Sequence, residues 1–273
     1  MTSPSTDDQI FQATYDRVAA RYDDLWSRNV RTPNDRLTRA LGLRRNERIV
    51  DLACGSGAAT LPMMRLVAPG ETVAVDPSEG MLSLARQRAL AEGLTLTAVQ
   101  AKAEDFIAAA PAASFDAVSM RFALAYLDWP HVLPSIGRLL RSGGRCGLLT
   151  SLATSAPQAL TIYQRLSESM EMDTVDIPTP TTIGPVEDLL ARGGLRIEDR
   201  WHHNFRLWFE SGAAATRWLI DTGYVAHPAL AGLEGEVLDG LIDLFGAHLE
   251  DEYREDEGVP LDFFVAGVLA RRP

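Results

Sequence analysis

A carboxylate followed by a run of small residues opens the chemical reading: Asp51-Leu52-Ala53-Cys54-Gly55-Ser56-Gly57, directly after the apolar Ile49-Val50. Gly55 and Gly57 permit a tight turn and a close approach of the backbone to a ligand. A helix starting just beyond would offer unpaired N–H groups and the positive end of its dipole. The dinucleotide fingerprint needs a third glycine, in the pattern G-x-G-x-x-G, and Thr60 stands in that place. Asp51 also precedes Gly55, where a nicotinamide dinucleotide has no use for an acid but a ligand bearing an ammonium group does. A second acid, Asp76, follows at about the 20-residue offset where a carboxylate accepts from ribose hydroxyls. By that register Asp76 reads as an adenosine-ribose ligand, with a plain helix cap as the alternative.

These residues need a scaffold that presents strand ends. Predicted strands at Arg48–Ala53, Glu71–Asp76, Leu94–Gln100, Phe115–Met120 and Arg145–Thr150 alternate with predicted helices. Alternation of this kind argues for a parallel sheet covered on both faces. The helices are signalled at residues 58–68, from an N-cap at Ser78 to a stop at Gly93, at 104–109, and from Pro130 to Leu140 before Gly143-Gly144. Upstream, Phe11, Tyr15, Val18, Tyr22 and Leu25 recur at helical spacing, with Thr6 and Gln9 as a capping box, and a polar helix near 34–41 follows Pro33. Beyond Thr150 the rhythm changes. Helices are expected at 160–172, 186–192, 212–222 and 230–250, a loop at 176–185, and strands at 195–203 (extending toward Trp208) and 261–270.

The expected fold is therefore α/β: a Rossmann-like seven-stranded, mostly parallel sheet with an antiparallel last strand, an N-terminal helical lid and helical cap insertions. The expected divisions are a lid at 1–45, a nucleotide-binding core at 46–150, a first insertion at 151–184, core again at 185–208, a second insertion at 209–257 and a final core strand at 258–273. Ligands of open α/β sheets bind outside the carboxyl ends of the strands, where the inserted helices would form a cap.

Charge narrows the partners. The 273 residues carry 37 acidic against 26 basic side chains, a formal net charge of −11. Such a field repels phosphate backbones, so a nucleic-acid substrate is not expected. The acidic run from Glu250 to Glu257 reads as a solvated helix end. Cys54 and Cys146 make no disulfide framework or metal-ligand spacing, and no metal is expected. Without a leader-like N-terminus or a run near the ~20 apolar residues of a membrane span, the reading is a cytoplasmic protein, monomer or homodimer.

With these motifs assembled, the chain resembles the class I S-adenosylmethionine (SAM)-dependent methyltransferases, in the ubiquinone/menaquinone-biosynthesis-like branch (methyltransferase type 11/25). The family's first motif, acid-x-Gly-x-Gly-x-Gly, is matched by Asp51 to Gly57 with Ala53 for the first glycine. The second is matched by Val73-Ala74-Val75-Asp76 with Met81 beyond, the strand-four motif by Phe115-Asp116-Ala117-Val118-Ser119, and the strand-five motif by Leu139-Leu140-Arg141-Ser142-Gly143-Gly144. Tyr15-Asp16-Arg17 and Tyr22-Asp23 resemble the branch's N-terminal helix. The resemblance covers roughly residues 10–150.

The resemblance implies roles. Ala53, Gly55 and Gly57 would pack against the methionine part of the cofactor and Asp51 would sit near its amino group. Asp76 would hold the ribose hydroxyls, and Pro77 and Met81 would flank the adenine. The adenine amino group usually meets an acid after strand three; here the stretch is Lys102-Ala103-Glu104, and Lys102 is a donor only. Ala103 and Glu104 are the expected contacts, with Phe106 over the ring. Tyr22 and Arg121 would also touch the cofactor, while Tyr15, Phe122 and Tyr126 would line the acceptor side. Relatives carry histidines near positions 125 and 126, where this chain has Ala125 and Tyr126.

The implied activity is methyl transfer from SAM to a small-molecule acceptor, releasing S-adenosylhomocysteine. No catalytic base is assigned: Tyr15, Tyr126, His202 and His203 are candidates, and the adjacent histidines alternate sides of a strand. Trp201, Phe205, Trp208, Trp218 and Tyr224 read as core or as an aromatic acceptor pocket. Two rival readings are a SAM-binding protein without methyl transfer, such as a cyclase or a regulator, and an NAD-dependent dehydrogenase.

Overall fold

The computed structural model describes residues 23–169, 179–222, 224 and 233–273. Tyr15, Tyr22, the capping box and most of the first amphipathic helix lie outside the described residues, as does the start of the loop expected from 176.

A turn of π-helix at Asp23–Ser27 leads into α1 (Arg31–Ala40). The alternating region follows: β1 (Arg48–Leu52), α2 (Thr60–Val67), β2 (Glu71–Asp76), α3 (Glu79–Ala91), β3 (Thr97–Gln100), α4 (Ala103–Ala109), β4 (Phe115–Arg121), α5 (Trp129–Ile136) and β5 (Leu140–Ser151). Then come α6 (Pro157–Ser169), α7 (Gly184–Arg192), β6 (Arg196–Phe209), α8 (Gly212–Asp221), α9 (Gly235–Tyr253) and β7 (Val259–Arg271).

The seven strands form one sheet in the order β3-β2-β1-β4-β5-β7-β6. β1 pairs in parallel with β2 and β4, β2 with β3 and β4 with β5; β7 runs antiparallel to β5. Along β1, β2 and β4 side chains on both faces are buried, the mark of a sheet covered above and below. β6, at one edge, alternates from the buried Trp201 onward between exposed and half-buried residues. The chain steps outward from β1 to β3 and then returns to place β4 on the other side of β1. That reversal is the switch point where open α/β sheets bind ligands.

Two boundaries moved for physical reasons. β3 starts at Thr97 rather than Leu94 because Leu94 N–H donates to Ala89 O and Gly93 N–H to Leu90 O, a Schellman ending that uses Leu94 to close α3. Gly143-Gly144 does not separate a helix from a strand; it lies inside β5, which pairs Leu140 with Phe115 and resumes at Arg145 opposite Ala117. Gly143 N–H donates to Arg272 O, and Arg272 N–H to Gly144 O. The partners of this bulge lie at the far end of the sequence.

The chain falls into two compact units. Among the described residues, one comprises 23–153, 179–203 and 265–273, and the other 154–169, 204–222, 224 and 233–264. The second is helical, with α8 against α9 and α6 against α9. Its interior holds Phe263, whose ring stacks on Phe205 at 5.1 Å and meets Trp218 and Tyr224 edge-on at 5.6 and 5.4 Å.

Candidate functional site

The site grows from the carboxyl ends of β1 and β4, which pair at the switch point. Asp51 lies one residue before the end of β1, opposite Ser119 of β4. It is 2% exposed. Its Oδ2 accepts from Thr60 Oγ1 at 2.6 Å, at the start of α2, and Ser119 supplies a further hydrogen bond. Burial pushes the carboxyl up from its ordinary value, and the charge of Arg121 and the two hydroxyl donors oppose that rise.

The turn after β1 is strained where the family pattern has its first glycine. Ala53 sits at φ +56°, a left-handed conformation unfavourable for a residue with a Cβ. Phe122, just past the end of β4, is also left-handed at φ +55°. Its N–H donates to Leu149 O, and its ring meets Trp26 edge-on at 5.7 Å. Strained residues at adjacent strand ends are what a ligand site tends to store.

Gly55 and Gly57 serve two different ends. At Gly57 (φ +79°) a Cβ would stand 3.0 Å from Ala85 Cβ and 3.0 Å from Leu61 Cδ1, so this glycine lets the turn close against α3 and α2. At Gly55 (φ +53°) a Cβ would meet nothing within 4 Å among the described residues. Among the described residues, Gly55 therefore fronts open space. Its N–H donates to Asp76 Oδ2 at 2.8 Å, while Asp76 Oδ1 accepts from Ser78 N–H at 2.9 Å. Asp76, 8% exposed at the end of β2, thus fastens the glycine turn to the second strand. The helix cap belongs to Ser78, whose Oγ accepts from Met81 N–H. Met81 itself is buried and Pro77 half-buried.

Cys54 lies in the same turn, buried beside Asp76 and Asp51. Burial and then those two carboxylates hold its thiol well above the ordinary range, which removes it as a thiolate nucleophile.

At the start of α4, Ala103 is buried and Glu104 half-buried. Glu104 Oε2 is buried with no hydrogen-bond partner among the described residues. Burial raises its carboxyl above the usual value, while its own N–H and that of Asp128 pull it down. Tyr126 is half-buried in a short turn, Leu124–Tyr126, beyond β4. His202 is exposed and His203 half-buried on β6, alternating as a strand requires.

Arg121 lies inside the wall of the site. It is 8% exposed, and its guanidinium donates to Ser119 Oγ (3.0 Å), Asn34 O (3.2 Å) and Thr38 Oγ1 (3.0 Å) and touches Met63 Sδ (3.3 Å).

Three groups were not singled out from sequence. Asp23 Oδ1 accepts from Ser56 Oγ at 2.6 Å and from Ser27 Oγ at 2.7 Å; Asp23 also pairs with Arg88, whose guanidinium donates to Ser56 O at 3.0 Å. This ties the segment entering α1 to the glycine turn. The pair Tyr22-Asp23 carried a signal for it. Thr60 and Ser119, the hydroxyls on Asp51, carried none beyond their position across from the acid. Among the described residues no group of three or more His, Cys, Asp or Glu is placed to hold a metal ion. No helix among them is long and apolar enough to cross a membrane.

Residues 49–144 match the model of the methyltransferase domain family. The chain is 37% identical over 136 residues to the ubiquinone/menaquinone biosynthesis C-methyltransferase UbiE of Proteus mirabilis, covering 47% of this chain and 53% of that protein. It is 34% identical over 158 residues to UbiE of Pectobacterium carotovorum (55% and 62%) and 32% over 157 residues to demethylmenaquinone methyltransferase of Symbiobacterium thermophilum (52% and 59%). The match thus spans little more than half the length of these relatives. Among solved structures, the [4+2]-cyclase SpnF superposes with a TM-score of 0.66 at 16% identity, over 98% of this chain and 97% of that one. The YcgJ protein of Bacillus subtilis gives 0.60 at 19% identity (87% and 95%), and geranyl diphosphate C-methyltransferase of Streptomyces coelicolor 0.53 at 13% (90% and 80%). These distant structures share the fold. Motifs, strand order and sequence relatives agree: residues 49–144 carry a methyltransferase domain, similar to that of the ubiquinone/menaquinone methyltransferases.

Proposed function

We propose that this protein transfers a methyl group from SAM to a small-molecule acceptor, leaving S-adenosylhomocysteine. The observation that carries the reading is the glycine turn at the switch point, with Asp76 fastened to Gly55 N–H, the buried carboxylate of Asp51 in the strand leading into the turn, and open space before Gly55. The unsatisfied Glu104 Oε2 adds an acceptor suited to an amino group.

In this reading Asp51 faces the amino group of the methionine moiety, and Ala53, Gly55 and Gly57 form the floor beneath it. Asp76 takes the ribose hydroxyls. Pro77 and Met81 flank the adenine, and Ala103 and Glu104 receive its amino group. Phe122 and Tyr126 lie on the acceptor side. When bound, SAM supplies a methyl group on a sulfonium that is already strongly electrophilic, so holding the acceptor in line provides much of the rate. What the chain must do is orient two ligands and exclude water. A base is needed only for an acceptor that arrives protonated, and the described candidates are the half-buried Tyr126 and His203 and the exposed His202. The net charge of −11 favours an uncharged or cationic small molecule over a nucleic acid.

The test is turnover. Purified protein with SAM and a panel of small phenols, quinols and amines is assayed for S-adenosylhomocysteine. Acceptor-dependent release supports the reading. Tight cofactor binding with no release from any acceptor class points instead to a cyclase or regulator on this scaffold.

A further inference from the structure

We infer that Arg121 is a positioning residue that acts on the cofactor through Asp51, holding that carboxylate ionised and aimed from inside the protein. The inference rests on the reading above, in which Asp51 receives the ammonium group of the methionine moiety.

The geometry is a continuous buried polar chain. Thr60 Oγ1 donates to Asp51 (2.6 Å), Ser119 hydrogen-bonds Asp51, and Arg121 Nε donates to Ser119 Oγ (3.0 Å). Arg121 Nη2 then donates to Thr38 Oγ1 (3.0 Å), which itself donates to Asn34 O (2.9 Å), the carbonyl that also accepts from Arg121 Nη1 (3.2 Å). Asn34 and Thr38 lie one turn apart on α1, so the chain links β1 through β4 to that helix.

Both ends are costly to leave alone. A carboxylate that is 2% exposed and an arginine that is 8% exposed have each given up most of their hydration, and removing one partner strands the other. Among the described residues, Arg121 on β4 acts on Asp51, Asp51 and Asp76 both act on the Cys54 thiol in the turn, and Asp35 on α1 also acts on Arg121. Arg121 is, among the described residues, the cation that acts on Asp51. With its donors committed to Ser119, Asn34 and Thr38, its effect on a ligand passes through Asp51. Without it, burial favours the protonated carboxyl, which has no charge to offer an ammonium group.

The test compares two ligands. S-adenosylhomocysteine carries the ammonium group; 5′-methylthioadenosine shares its adenosine and sulfur but ends at a methyl. Wild type, Arg121→Met, Arg121→Lys and Ser119→Ala are titrated calorimetrically with both, from pH 6 to pH 8.5. We expect Arg121→Met to weaken S-adenosylhomocysteine at least tenfold at pH 7 and methylthioadenosine less than twofold. The lost affinity should return as pH rises and Asp51 ionises, so that Arg121→Met gains more affinity with pH than wild type does, and Arg121→Lys should restore most of it. Equal weakening of both ligands, or a pH profile unchanged in Arg121→Met, overturns the inference and leaves Arg121 a structural strut. If Arg121→Met does not fold, Ser119→Ala decides: a ratio of the two affinities equal to wild type overturns the inference, and selective loss of S-adenosylhomocysteine upholds it. A wild type that binds neither ligand overturns the underlying cofactor reading itself, and the inference with it.

Discussion

Alanine at Gly55 and at Gly57 should separate binding from stability, although the two residues are neighbours in one turn. Both are left-handed, at φ +53° and φ +79°. A Cβ there costs about 1–2 kcal/mol in the folded state, and the stiffer unfolded chain returns about 0.4–1 kcal/mol. For Gly55→Ala nothing else is added, because a Cβ meets no described atom within 4 Å. Its net cost should be about 1 kcal/mol, by the same two terms. For Gly57→Ala the Cβ lands 3.0 Å from Ala85 Cβ and from Leu61 Cδ1, and 3.2 Å from Ala85 Cα. Overpacking of this kind adds about 1–3 kcal/mol, for a net of roughly 2–4 kcal/mol. Urea unfolding measures this difference.

Affinity should rank the other way. In the proposed reading the cofactor approaches the backbone at Gly55, so a methyl there should weaken S-adenosylhomocysteine at least tenfold, about 1.4 kcal/mol. Gly57→Ala, titrated where it is folded, should bind within a few-fold of wild type, since its Cβ points at α2 and α3. Two results would refute the reasoning: Gly55→Ala less stable than Gly57→Ala, or Gly55→Ala binding the ligand as tightly as wild type.

Other perturbations follow from the same geometry. Ala53→Gly relieves a left-handed alanine and should raise stability by about 0.5–1 kcal/mol after the unfolded-state cost, read as a higher denaturation midpoint with cofactor affinity kept. Asp76→Ala removes the acceptor of Gly55 N–H and Ser78 N–H; it should lower stability and weaken the cofactor by about 1.5–3 kcal/mol, and unchanged affinity in a folded variant would remove Asp76 from the site. Glu104 is raised above 4.5 by burial, so its contribution to stability is present below the unfolded value and is lost as pH rises through the folded one. Glu104→Gln should therefore be as stable as wild type or more so at pH 7 without ligand, lose that advantage below pH ~4.5, and bind the cofactor more weakly. Thermal melts against pH, paired with titrations, check both halves.

What the sequence disclosed and what it withheld divide along the range of the forces involved. β2 was legible residue for residue, and the Ser78 cap with it, because apolar runs and N-caps are local signals. The irregular start of β5 was not, since its hydrogen bonds come from Arg272. The two carboxylates were found by type and spacing. Their surroundings were hidden: Thr60, Ser119 and Arg121 meet Asp51 only once β1, β4 and α2 are assembled. Asp23 was in view as half of a Tyr-Asp pair, yet its grip on Ser56 and Arg88 belongs to tertiary structure. The cost at Ala53 is in the backbone angle, which residue type alone does not reveal.

The central claim is that the glycine turn between Asp51 and Asp76 holds the sulfur-bearing adenosine cofactor. Calorimetric titration of the purified protein with SAM and S-adenosylhomocysteine, against NAD and NADP, tests it most directly. The account predicts saturable, one-to-one micromolar binding of the two sulfur ligands and none of the dinucleotides. Binding of NAD with none of SAM would contradict it at the turn itself.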